Sequence, residues 1–298
     1  MAALTLPFQR RLDAAISAWL GAPGAPRVDF SAPAGAPALL PPDSVTWRVM
    51  KNPVALIVGG VAAVILELAE PRVRTGVWEH TRFRSDPVGR MKRTGRAAMT
   101  TIYAPAETAR AMIEAVNRRH GNVTGATPDG AAYSADEPAL LNWVQATASF
   151  GFLEAYCRYA RRLSACEQNQ FYAEGAPIAA LYGARGAPAS TLELEALFAR
   201  MRPNLEPSPI VHEFLQILAR SDFLPAPLAP LKPAMIAAAI AITPPWTREL
   251  LGLTPRMPPG GKTLLRALGV AGEHVALRAA PPALACVRLR LAADYLYR

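Results

Sequence analysis

The chain has 298 residues, enough for one large domain or two small ones. Hydrophobic residues make up 51% and charged residues 18%, which supplies a sizeable core and excludes intrinsic disorder. The net charge of +9 favours anionic partners. However, the cationic cluster Arg72, Arg74, Arg82, Arg84, Arg90, Lys92, Arg93 and Arg96 is not interleaved with stacking aromatics, so nucleic acid is not an expected partner.

The first residues lack a basic start followed by an uninterrupted apolar run and a cleavage site, so no signal peptide is expected. A helix is predicted over roughly residues 5 to 20. Residues 21–43, rich in Pro, Ala and Gly, read as an extended linker. The resulting division is 1–43 as helix and linker and 44–298 as a helical domain.

Asn52-Pro53 opens an apolar helix to about Ala69, which Pro71 is expected to close. Its run from Val54 to Leu66 is shorter than the ~20 residues a membrane span needs. A buried helix is therefore expected, with peripheral membrane contact left open for a basic protein. Asp86-Pro87 places a capping side chain before a proline at the first helical position, predicting a helix to about Tyr103. Pro105 opens the next, to about Arg119, stopped by Gly121.

Ser134-x-x-Glu137 has the spacing of a capping box, ahead of a helix to about Leu163. A helix over about 167–181 follows, ending at Gly183. Ser190-x-x-Glu193 caps another, Leu192 to Met201. Further helices are predicted at 209–220, 232–242, 245–251, 260–279 and 282–296. No alternating strand pattern or hairpin turn of the Asn-Gly type stands out. The expected fold is all-α: one globular multi-helix domain with a buried cleft for a cofactor between helices.

Cys157, Cys166 and Cys286 are odd in number and contain no C-x-x-C pair, which fits a reducing, cytoplasmic setting and inert thiols. On the helix from Asp86, Arg90, Thr94 and Thr101 share a face with small neighbours Ala97 and Ala98. Arg offers fixed donors and Thr a hydroxyl to an oxygen-bearing ligand. The same spacing equally serves a surface arginine paired with an acid and a threonine bonded to its own helix.

Among four histidines, His120 ends a helix, where it can cap, pack, or present a neutral ring to a metal. His80 has the same alternatives. Phosphate loops, calcium loops, the nucleophile elbow and the i, i+4 histidine pair of a helix-borne zinc site are all missing. A macrocycle held by one histidine, with arginines near its carboxylates, is the cofactor this composition suits best.

Several blocks in one order carry a resemblance. They are Trp47 before the apolar helix; Pro71 and residues 76–94 (GVWEHTRFRSDPVGRMKRT); and residues 119–125 (RHGNVTG). Residues 133–144 (YSADEPALLNWV), 163–175 (LSACEQNQFYAEG) and the ending at 244–253 complete the set. The chain resembles the MpaB-type oxygenases, which share a catalytic domain with the rubber oxygenases called latex-clearing proteins, over roughly residues 44–255.

The resemblance implies an all-α fold and, from the rubber oxygenases, haem b iron held by a histidine, here His120. Arg90 and Thr94 then correspond to the pair lining the dioxygen side. Arg93 stands where those enzymes can carry an iron-reaching lysine, and His80 is a nearby supporting group or alternative ligand. The acid assigned as catalytic base there has no clear counterpart, Glu79 being out of place, and Gln145 stands where many members have His.

The implied activity is haem-dependent oxygenation of a small hydrophobic, isoprenoid-like substrate with dioxygen; rubber itself is not implied. Two other functions are compatible with the residues alone: a non-catalytic haem or lipid carrier, and a cofactor-free helical interaction protein. Substrate identity and oligomeric state are not legible.

Overall fold

The computed structural model describes residues 28–298. The predicted helix at 5–20 and residues 21–27 lie outside the described residues. Residues 28–43 form turns and bends tied to the C-terminal region. The buried Arg288 donates through Nη1 to the Phe30 carbonyl (2.7 Å) and through Nε to the Ala36 carbonyl (2.9 Å).

Helix α1 (Val45–Met50) carries the fully buried Trp47, whose carbonyl accepts the Tyr103 hydroxyl at 2.8 Å. Helix α2 (Pro53–Glu67) begins where the Asn52 side chain accepts from the Val54 and Ala55 amides and Pro53 takes the first helical position. It is apolar around most of its circumference and therefore central. Its main partner is α6 (Pro138–Tyr159), and the two backbones meet at Gly59 and Gly151. A Cβ at Gly59 would lie 2.6 Å from the Gly151 carbonyl oxygen, so any larger residue would push the helices apart.

Pro71 does not simply close α2. It occupies the first position of a separate helix, α3 (Pro71–His80), whose N-cap is the Glu70 carboxylate accepting from the Val73 amide at 2.8 Å. Proline stops the helix before it and starts the one after it for the same reason: it lacks an N–H, and the first turn needs none.

Helices α4 (Pro87–Tyr103) and α5 (Ala106–His120) pack on one another and are joined by Ala104 and Pro105. A short ribbon follows, β1 (Thr124–Ala126) antiparallel to β2 (Ala132–Ser134), with Gly125 opposite Tyr133. The sequence reading lacks these strands. Their turn uses Asp129-Gly130, with Gly130 at φ +91°, a hairpin signal too short to stand out without flanking alternation.

The Ser134–Glu137 capping box does not form either. Ser134 sits in β2 and bonds Asp136, and α6 begins behind Glu137 with no side-chain cap. A full capping box appears instead at Ser164 and Glu167, opening α7 (Ala165–Leu181).

Helices α8 (Thr191–Met201), α9 (Pro209–Arg220), α10 (Lys232–Ile242) and α11 (Pro245–Leu250) follow the predicted order. The last two, α12 (Gly261–His274) and α13 (Pro281–Arg288), are shorter than predicted. After α13 the chain turns through Arg290 at φ +61°, which ends helical continuation. The architecture is all-α apart from the ribbon. Among the described residues no single helix is long and apolar enough to cross a membrane. Helices α2 and α3 reach that length only together and bend by 112° between them.

Candidate active site

Arg90, Glu67, Thr147 and His120 form one electrostatic cluster contributed by four helices. Glu67 ends α2, so its position follows from the apolar helix that buries everything before it. Burial raises its carboxyl pKa to about 7; the Arg90 guanidinium and the nearby Thr147 hydroxyl offset this only in part. Thr147 lies on α6, is fully buried, and donates its one hydroxyl proton to the Val144 carbonyl one turn back (2.9 Å).

Arg90 lies half-buried in the first turn of α4. Burial depresses its pKa, Glu67 opposes that shift, and Arg93 adds to it. A guanidinium remains protonated throughout, so a fixed positive charge sits against a carboxyl that titrates near neutrality.

His120, the last residue of α5, is half-buried, and its Nδ1 is buried without a hydrogen-bond partner. Burial lowers its pKa first, Arg90 lowers it further, and Asp136 works in the opposite direction. The ring is therefore neutral at pH 7, the form that ligates a metal or hydrogen-bonds a ligand. An orphaned buried nitrogen beside a cation is the feature expected of a ring awaiting a partner.

The other predicted residues are placed as follows. Thr94 accepts from Arg90 Nη1 (2.8 Å) and donates back to the Arg90 carbonyl (3.1 Å), on an exposed stretch of α4. Arg93 donates to Asp86 Oδ2 (3.1 Å), the N-cap of its own helix, with half its side chain exposed. His80 is exposed at the end of α3 and its Nε2 contacts the Tyr133 hydroxyl at 3.2 Å, outside the Arg90 cluster. Glu79, beside it, is also exposed.

Sequence reading missed Glu67 and Thr147. Glu67 was the residue that ended an apolar run. The available signal was that buried residues lie on both of its sides, Ile65 and Leu66 before and Leu68 and Ala69 after. A carboxylate so flanked is held in the interior by its neighbours rather than placed at a surface boundary.

Residues 47–272 match the family described as ER-bound oxygenase mpaB/B'/Rubber oxygenase, catalytic domain. The chain belongs to this family. The match spans α1 to α12 and so contains every residue of the cluster. No curated protein and no solved structure matches the chain. As a member of an oxygenase family it is assigned to the oxidoreductases.

The donor set bears on which cofactor fits. Among the described residues no group of three or more His, Cys, Asp or Glu side chains could hold a metal ion. A single neutral histidine nitrogen with a neighbouring arginine is a poor cage for a bare ion but suffices for a macrocyclic iron, which needs one axial nitrogen from the protein.

Proposed function

We propose that this family member is a haem b-dependent oxygenase of a small hydrophobic, isoprenoid-like substrate, in which His120 would hold the haem iron and Arg90 and Thr94 would face the dioxygen. The observation that carries the reading is the buried, partnerless Nδ1 of His120 beside Arg90. Haem iron, when bound, supplies the redox chemistry with dioxygen.

The chain's own residues do the rest. His120 is kept neutral, hence ligating, by burial and by the Arg90 charge. Arg90 provides a fixed cation that orients polar oxygen atoms and could pair with a haem carboxylate. The Glu67 carboxylate, poised near pH 7, can take a proton from substrate and return it without a large free-energy step, as required of a general base at physiological pH. The apolar walls of α2 and α6 desolvate this carboxyl in part. A cytoplasmic location, with contact to membrane surfaces for hydrophobic substrate, accompanies the proposal.

A second reading, a haem or lipid carrier without turnover, is favoured by the Arg90–Thr94 pair. Each side chain already satisfies the other within one helix. Oxygen uptake by the haem-loaded protein with isoprenoid compounds separates the two. The oxygenase reading expects substrate-dependent uptake that falls by about 10²-fold in Glu67→Gln. Haem retention with no uptake for any compound would favour the carrier.

A further inference from the structure

Further along α6 lies a cavity of about 540 Å³, lined also by α7, α8, the turn at Arg202 and α11. It shares α6 but no residue with the Arg90–His120 cluster, and nothing in its argument depends on haem. Phe150 and Glu154 lie one and two turns beyond Thr147. The size falls within the usual range for small-molecule sites.

Its walls are aromatic. Phe198 stands between the other two, 5.3 Å from Phe150 at 61° and 6.2 Å from Trp246 at 82°, so both neighbours meet it edge to face. Tyr172 adds a fourth. One cation already uses this surface: the Arg202 guanidinium sits 5.5 Å from the Trp246 ring centre. Ring faces carry negative potential and attract cations, most strongly at Trp.

The polar groups point the same way. Gln168 donates to the Leu163 carbonyl (3.0 Å) and the Thr191 hydroxyl to Asn169 (2.9 Å), so both already have partners in the fold. Glu154 and Glu195 remain, and neither has a hydrogen bond or ion pair with the described residues. Glu154 is half-buried; desolvation raises its pKa, and Arg158 offsets this only partly. Arg202 also lines the cavity but lies over the Trp246 ring, so an anionic ligand would meet two carboxylates beside that one cation, and a neutral hydrocarbon would desolvate Glu154 further, with only Arg158 to offset it in part. A primary ammonium needs three acceptors, which ring walls do not offer, whereas an alkylated ammonium spreads its charge over methyl groups that pack on rings.

We propose that this pocket binds a small organic cation with an alkylated ammonium head, seated among Phe150, Phe198 and Trp246 and neutralised by Glu154. The site is a binding site, separate from the oxygenase cluster.

Calorimetric titration of the full chain with choline, and with its uncharged isostere 3,3-dimethylbutan-1-ol, tests this. Choline is expected to bind with Kd of about 1 mM or tighter, and the alcohol at least about tenfold more weakly. Glu154→Gln, which preserves shape, and Trp246→Leu should each weaken choline by about tenfold or more. Binding should also release a proton near the Glu154 titration range, seen as an enthalpy that varies with the buffer's ionisation heat. Equal binding of the alcohol, unchanged binding in Glu154→Gln, or no choline binding at about 10 mM would each overturn the proposal. If Trp246→Leu fails to fold, the isostere comparison and Glu154→Gln still decide.

Discussion

Glu67, at the end of α2, and Arg90, in the first turn of α4, act on one another electrostatically, and burial outweighs that cation: the carboxyl pKa is raised to about 7, well above the ordinary carboxylate range. One guanidinium thus acts on two groups. It draws Glu67 toward ionisation and holds His120 away from protonation. A base near neutral pH and a neutral imidazole in one cluster are complementary requirements of a site that moves a proton beside a ligated cofactor.

The raised pKa of Glu67 makes stability fall as pH rises. Below about pH 4.3 the group is protonated in both folded and unfolded chains; between there and about 7 only the folded chain keeps the proton. Its contribution is therefore full in acid and lost through neutrality, on the order of 3 kcal/mol at most for a half-buried group. Denaturant unfolding of the haem-free protein from pH 5 to 8 should show wild type losing stability relative to Glu67→Gln. Parallel pH profiles for the two proteins would contradict the assignment.

The contact of Gly59 with Gly151 admits no side chain. Gly59→Ala is expected to cost about 2–3 kcal/mol through overpacking of backbone on backbone. A loss below about 1 kcal/mol in urea unfolding would mean that α2 and α6 can separate without cost.

Lys51 is buried at the end of α1. Its Nζ donates to the Glu273 and Leu296 carbonyls and lies 3.4 Å from the Glu273 carboxylate. The Tyr156 hydroxyl (2.6 Å) and Asn52 amide (2.8 Å) complete that carboxylate's partners. Glu273→Leu strands the ammonium and should cost about 3–5 kcal/mol, whereas adding Lys51→Met should recover much of it. A double variant as unstable as the sum of the two singles would show that the pair is not coupled.

The thiols should react in an order set by burial. Cys166 is exposed, Cys157 is half-buried with its pKa raised by desolvation, and Cys286 is buried with its thiol pushed up to about 11. Thiol titration with a disulfide reagent should show Cys166 first and Cys286 only on unfolding. Rapid labelling of Cys286 in the native protein would place α13 differently.

Most of the helical order was legible because proline, Asn, Asp and Ser punctuate it: Asn52-Pro53, Asp86-Pro87 and Ser190 all begin helices where their chemistry says they should. The ribbon at 124–134 and the start of α3 were not. Three-residue strands carry no period, and a proline reads as a stop or a start only once the surrounding packing is known. In the site, Arg90 and His120 were visible as residue types at informative positions. Glu67 was hidden because its role comes from desolvation by α2's partners, a property of packing and not of spacing.

The most direct test of the account is the absorption spectrum and iron content of the purified protein after haem loading, beside that of His120→Ala. The account predicts a Soret band with about one iron per chain in wild type. It predicts loss of that band in the variant, while the haem-free forms of the two proteins melt at similar temperatures, because Nδ1 of His120 makes no hydrogen bond to lose. No Soret band in wild type, or full haem occupancy with an unchanged spectrum in His120→Ala, would contradict it.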